Sequence, residues 1–287
     1  MSFIVKKNNL KSREIEISSK SHISVIKTHP RSPRRDKTTM PEEDSEEDES
    51  DYEWTPLMAA IVEGHEGVVR ELLAAGFDKN EVNQYGHTLM GVAAYRGHAG
   101  VMRQLLAAGC DKDKANEDGE TPLFLAANSG KESVVSELLA AGCDIDKPDK
   151  HGYTPLFTAA LNCKCVPVVQ QKQYSGVVQQ LLAAGCDMDA TRVSPCLGVR
   201  VSLVRPPPAV CPCGCRMSGA TAVFVAACQG SEDIVEQLLK AGCNWKKATH
   251  HYNETPLDIA KLRGNFNVVR LLQETYARDQ SCSLFRG

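Results

Sequence analysis

Long apolar runs are missing from this sequence. No stretch approaches the roughly 18 uninterrupted apolar residues that a membrane-spanning helix requires, so no span is expected. The amino-terminal MSFIVKKNNLKSRE lacks the apolar region of a secretory leader, and no secretion signal is expected. Catalytic motifs are missing too. There is no G-x-S-x-G, no P-loop and no paired-carboxylate motif, and no nucleophile has a base of its own beside it. The chain is therefore not expected to be an enzyme, and no cofactor is implied. A surplus of positive charge is absent: 33 Lys and Arg face 36 Asp and Glu, a net charge of −3, which argues against nucleic acid as the main partner. Paired metal-ligand spacing is lacking as well. Cys211, Cys213 and Cys215 form C-x-C-x-C, and Cys163 and Cys165 form C-x-C, whereas structural zinc takes ligand pairs separated by about two to four residues. No metal site is expected.

What the sequence has is repetition. Thr121 to Gly142, TPLFLAANSGKESVVSELLAAG, reads as a helix, a turn and a second helix, and much the same string recurs. Thr55, Thr88, Thr121 and Thr154 are each 33 residues apart. Small residues follow each threonine (Ala60, Ala93–Ala94, Ala126–Ala127, Ala159–Ala160), then a glycine (Gly64, Gly97, Gly130). Leucine pairs close the second helix at Leu72–Leu73, Leu105–Leu106 and Leu138–Leu139. Threonine is a good N-cap because its hydroxyl accepts from exposed first-turn amides. Pro56, Pro122, Pro155 and Pro256 follow it where proline forfeits no hydrogen bond. Val134–Val135 and Leu138–Leu139 make one apolar stripe on the second helix. One such unit cannot bury that stripe alone, so units must stack.

These residues resemble the ankyrin repeat, with its 33-residue period and T-P-L-H-x-A signature. The resemblance covers about residues 50–282 in six copies: 50–82, 83–115, 116–148, 149–191, 192–249 and 250–282. It departs from the pattern where Met58, Phe124, Phe157 and Asp258 replace the usual histidine, and where Leu89 and Ala222 replace the proline. The resemblance implies an all-α solenoid of helix-turn-helix units joined by β-hairpin or turn loops. It also implies a non-enzymatic protein-interaction module.

Twelve cysteines invite a disulfide reading, but Cys110, Cys143, Cys186 and Cys243 occupy one repeat position. Stacked helices lie roughly 10 Å apart, beyond the ~7 Å Cα limit for a bridge. Buried free thiols are expected, and with them a reducing compartment, cytoplasmic or alternatively nuclear.

Residues 1–40 carry ten Lys and Arg against three Asp and Glu, with no sustained period beyond a short IEIS alternation, and read as a disordered basic tail. Residues 41–53, PEEDSEEDESDYE, hold nine acidic residues and are expected to stay extended. The tail is taken as residues 1–49 and the repeat domain as 50–287. The fourth copy is ten residues too long, and the excess is placed in the helix–helix turn near 164–173; an extended second helix is the alternative, against which Pro167 counts. The fifth carries 24 extra residues, Val193 to Arg216, with five prolines, four cysteines and no acidic residue. That segment is either a retained intron or gene-model artefact, or a genuine loop at the hairpin tips. The sixth copy has Asn253 in place of the turn glycine and a polar last helix, as in a capping repeat.

The resemblance places partner contacts on the hairpin tips and the exposed face of the first helix, together the concave surface. In this sequence those positions include Tyr52 and Trp54; Tyr85, His87, Tyr95 and Arg96; Glu117, Asp118 and Glu120; Lys150, His151 and Tyr153; and Tyr252 and Arg263. Asn128, Leu161, Asn162 and Leu262 occupy further positions of the same set. Exposed aromatics are what interface hot spots use, although packing on neighbouring hairpins is the alternative. The expected function is a monomeric scaffold or adaptor for a protein partner. The alternatives are a regulatory subunit whose charged tail supplies the effector contact and, least favoured, a nucleic-acid-associated protein.

Overall fold

The computed structural model describes residues 3–6, 14–17, 23–24, 55–83, 86–165, 167–191, 219–249 and 253–284. The insertion 193–216 and the acidic block 41–53 lie outside these residues. The chain divides into two compact units, Met1–Phe77 and Asp78–Gly287.

In the first unit, three short strands fall within the segment read as a tail: β1 (Phe3–Lys6), β2 (Glu14–Ile17) and β3 (Ile23–Ser24). They pair antiparallel in the order β1-β2-β3, with Phe3 opposite Ile17 and Glu16 opposite Ser24. The IEIS alternation coincides with β2, where period-two patterning suits a strand. The same unit holds the first helix pair, α1 (Pro56–Val62) and α2 (Glu66–Ala74). Thr55 caps α1 through Oγ1, which accepts from the Met58 amide at 3.2 Å. Leu57 and Ile61 of α1 are buried, as are Val69 and Leu72 of α2.

The second unit is five further pairs. Their first helices are α3 (Leu89–Arg96), α5 (Pro122–Asn128), α7 (Pro155–Asn162), α9 (Ala222–Gln229) and α11 (Pro256–Arg263). The second helices are α4 (Ala99–Ala107), α6 (Glu132–Ala140), α8 (Val168–Ala183), α10 (Glu232–Ala241) and α12 (Phe266–Leu284). First helices pack in one row and second helices in another, each against its counterpart in the next copy. Ala93, Ala94, Ala126, Ala127, Ala159 and Ala160 are fully buried; side chains this short let the first-helix row close up. Every first helix keeps its threonine cap, including α3 and α9, where Leu89 and Ala222 stand for proline. A capped N-terminus needs no proline, because the hydroxyl already takes up the amide three residues on. Asn253 adopts φ +50° at its turn, in the left-handed region that asparagine tolerates.

A ladder of polar contacts ties successive copies together at the base of the loops. The Asp144 amide donates to Asp113 Oδ1 at 2.8 Å, Asp187 to Asp146 at 2.9 Å, and Asn244 to Asp189 at 2.8 Å. A lysine reaches back at each level. Lys114 Nζ donates to the Asn80 carbonyl at 3.1 Å, Lys147 to Asp113 at 2.9 Å, and Lys247 to Asp189 at 2.9 Å. The three amide rungs span 31, 41 and 55 residues. The second exceeds the first by ten and the third by 24, the lengths of the two insertions, while the rung itself is unchanged.

Most of the ten extra residues of the fourth copy lengthen its second helix rather than the turn: α8 has 16 residues where α6 has nine. A short 3-10 turn, Cys163–Cys165, leads to Pro167, and α8 starts directly after it and runs for 16 residues. Proline at the boundary starts a helix as readily as it breaks one, since only its missing amide and fixed φ matter there. The extension brings in Tyr174, which is buried, lies against Gly130 and donates its hydroxyl to the Asn128 carbonyl at 2.9 Å.

Cys110, Cys143, Cys186 and Cys243 are free thiols, all buried beside the ladder. Burial, and then the Asp113 carboxylate, push Cys143 up to about 11. Burial, reinforced by Asp146 and Asp189 respectively, pushes Cys186 and Cys243 up to about 12. Unfolded thiols ionise near 9.0, so above that pH the unfolded chain binds fewer protons than the native one. The thiols' contribution to stability is therefore whole below pH 9 and is lost as pH climbs towards 12. Replacing Cys143, Cys186 and Cys243 with Ala should make the fall of melting temperature above pH 9 shallower than in the wild-type chain, as read by circular dichroism. Deleting Val193–Arg216 should leave the fold intact and raise stability slightly, by about 1 kcal/mol for the shorter loop, in urea denaturation.

Candidate protein-binding surface

The loops of the second to fourth copies are built alike. Asn83, Asn116 and Asp149 each sit five residues before a capping threonine, and each turns its side-chain oxygen onto nearby backbone amides. Asn83 Oδ1 accepts from His87, Asn116 Oδ1 from Asp118 and Glu120, and Asp149 Oδ1 from His151 and Tyr153, at 2.7–3.0 Å. An oxygen shared between two amides closes the tip without help from neighbours. The tips are then pinned to one another. Glu117 lies over Gly86, the Lys150 amide donates to the Asp118 carbonyl at 3.0 Å, and the Lys150 ammonium pairs with the Asp118 carboxylate. Gly119, at φ +79°, admits no side chain, since a Cβ there would come within 2.8 Å of the Lys150 nitrogen.

On these tips Glu117, Asp118, Lys150 and His151 are exposed. His87 and Glu120 are half-buried and joined through Asn116, whose Nδ2 lies 2.8 Å from Glu120 Oε2 and 3.4 Å from His87 Nδ1. On the first-helix row Tyr95 is 56% exposed and Arg96 is exposed beside it. Arg263 is exposed at the end of α11. Tyr52, Trp54, Tyr85 and Tyr252 lie outside the described residues.

Tyr153 is not a surface aromatic. It is only 7% exposed and packs its ring 5.2 Å from Phe157. Its position directly before the capping threonine turns it under the hairpin, where Phe157 offers an apolar wall. Leu161 is buried too, at 3%. At its position Tyr95 and Asn128 belong to the same row, and depth differs because neighbouring copies cover the row unevenly. The sequence reading also missed a polar cluster on this row. Thr158 Oγ1 donates to Asn128 Oδ1 at 2.8 Å, Asn162 Nδ2 donates to the same oxygen at 2.6 Å, and Tyr174 holds the Asn128 carbonyl. Tyr174 lies directly after the excess placed near 164–173, where the repeat pattern carries no aromatic signal; Asn128 and Asn162 stood in the family's contact positions.

Among the described residues, no group of three or more His, Cys, Asp and Glu is placed to hold a metal, and no helix is long and apolar enough to cross a membrane. Among the described residues, the surface offers charged tips and the exposed aromatic Tyr95. Tyr153→Ala should cost about 3 kcal/mol in urea denaturation, as expected for emptying a buried aromatic site. Tyr95→Ala should cost less than about 0.5 kcal/mol.

The family profile described as Ankyrin repeats (3 copies) matches residues 37–116, 89–192 and 168–281. Among solved structures, the human ASB11 ankyrin repeat domain is 22% identical, with a TM-score of 0.60 over 77% of this chain and 84% of that one. The ankyrin repeat domain of Bcl-3, described as a unique member of the IkappaB protein family, is 28% identical, with a TM-score of 0.59 over 76% of this chain and 82% of that one. No curated protein sequence matches. With period, caps, stacked helix pairs and family profile in agreement over most of its length, the chain belongs to the ankyrin repeat family.

Proposed function

We propose that this protein is a scaffold or adaptor that holds a partner protein against the second to fourth copies. Ankyrin repeats are in general protein-interaction modules, and the reading adds a location. The observation that carries it is Tyr95, 56% exposed on a row where Leu161 and Cys228 are buried. A large aromatic left in solvent beside Arg96 is the residue pair from which interface hot spots are made. The tips add charged and polar groups for orientation: Glu117, Asp118 and Glu120 on the third copy, Lys150 and the imidazole of His151 on the fourth. Buried free thiols suit a reducing compartment, cytoplasmic or nuclear.

A second reading makes the charged amino-terminal segment an effector, because ten basic residues in 1–40 adjoin nine acidic ones in 41–53. Deleting residues 1–49 separates the two: a scaffold keeps its function, an effector tail loses it. Affinity capture with the full chain and mass spectrometry identifies the partner. Tyr95→Ala with Arg96→Ala should then weaken that partner's binding by about a hundredfold, the scale of a hot spot, with melting temperature unchanged. Unaltered binding, or loss accompanied by unfolding, counts against this location.

A further inference from the structure

We propose that the last helix pair is a self-association surface, on which two copies of this chain meet about a two-fold axis beside α11. This face lies at the sixth copy, apart from the second to fourth copies to which the partner is assigned, although Leu262 shares the repeat position of Tyr95. The fourth and fifth copies bury the side they turn towards the successor, whereas in the second copy Tyr95, seven residues after its threonine, is 56% exposed. Three, six and seven residues after the capping threonine stand Phe157, Ala160 and Leu161 in the fourth copy, and Phe224, Ala227 and Cys228 in the fifth, none more than 7% exposed. On α11 those positions hold Asp258, Lys261 and Leu262, all exposed, Leu262 at 72%. Phe266 opens α12 at 81% exposure, where α10 opens with Glu232. Val269 is half-buried at the position where Val235 is fully buried. This face of the sixth copy, which no further described pair covers, is charged at two positions and apolar at three.

A second copy of the same face is the occupant that fits the charges. Asp258 and Lys261 are three residues apart, on one side of α11. Two α11 helices crossing antiparallel set Asp258 against the partner subunit's Lys261, and the reverse pair follows by symmetry. Such reciprocity is what a two-fold interface demands, with residue i meeting j and j meeting i. Leu262 and Phe266 then leave water between the two charge pairs. Asp258 is already oriented: its Oδ2 accepts from the Thr255 amide at 3.0 Å and from Thr255 Oγ1 at 2.6 Å, and Oδ1 lies outside this cap.

Sedimentation equilibrium of the full chain should show a monomer–dimer equilibrium in the micromolar range. Phe266→Glu and Leu262→Glu should abolish the dimer without moving the melting temperature, because both side chains stand in solvent. Lys261→Glu should weaken it about tenfold or more by setting like charges face to face. Mixing Lys261→Glu with Asp258→Lys should restore association, because both pairs are opposite in the mixed dimer alone. A chain that stays monomeric throughout, or a dimer that survives Phe266→Glu, overturns the proposal. A mixture no stronger than its parents does so too.

Discussion

No helix pair in this chain can bury its own apolar side, and most of what is seen follows from that constraint. The helices are short: α5 has seven residues and α6 nine, lengths that are marginal alone in water. Their stability comes from being packed on two sides. Leu123, Ala126, Ala127, Val134, Val135 and Leu138 of the third copy are all fully buried because copies stand on both sides of it. Each unit therefore completes its neighbours' core, and stability accrues by nearest-neighbour contact.

The loop-side ladder gives that stacking its register. Apolar packing is non-directional, whereas an amide pointed at a carboxylate oxygen at 2.8–2.9 Å is not. The rung between Asp189 and Asn244 spans 55 residues and has the geometry of the one between Asp113 and Asp144, which spans 31. The separation along the chain between the two partners of a rung thus varies while the rung geometry does not. The ladder carboxylates have a second effect. Asp146 and Asp189 stand close enough to Cys186 and Cys243 to reinforce what burial does, keeping these thiols protonated and inert.

The two surfaces of interest arise where this periodic logic is interrupted. Tyr95 is a large aromatic left in solvent at a row position that is buried in the fourth and fifth copies. Leu262 and Phe266 are apolar at the end of the stack, where no further described pair follows to cover them. In a solenoid, a residue's depth is set by which copies flank it. The same repeat position is therefore core in Cys228 and surface in Leu262.

That dependence divides what was legible in the sequence from what was not. The 33-residue period, the threonine caps, the alanine pairs and the recurrent cysteines are local or periodic features, and they named the fold and the buried thiols without coordinates. Pro167 was ambiguous, because proline both ends and begins helices, and only the structure shows that seven of the ten extra residues lengthen α8, to 16 residues against nine in α6. Tyr153 and Tyr95 are the same residue type at positions the family pattern treats as contacts, yet one lies beneath a hairpin against Phe157 and the other in water. The sequence determined which elements form and how often they recur, since capping and periodicity act within a few residues. The tertiary structure alone decided which side chains remain accessible, because exposure belongs to the neighbours that cover a residue and not to the residue itself.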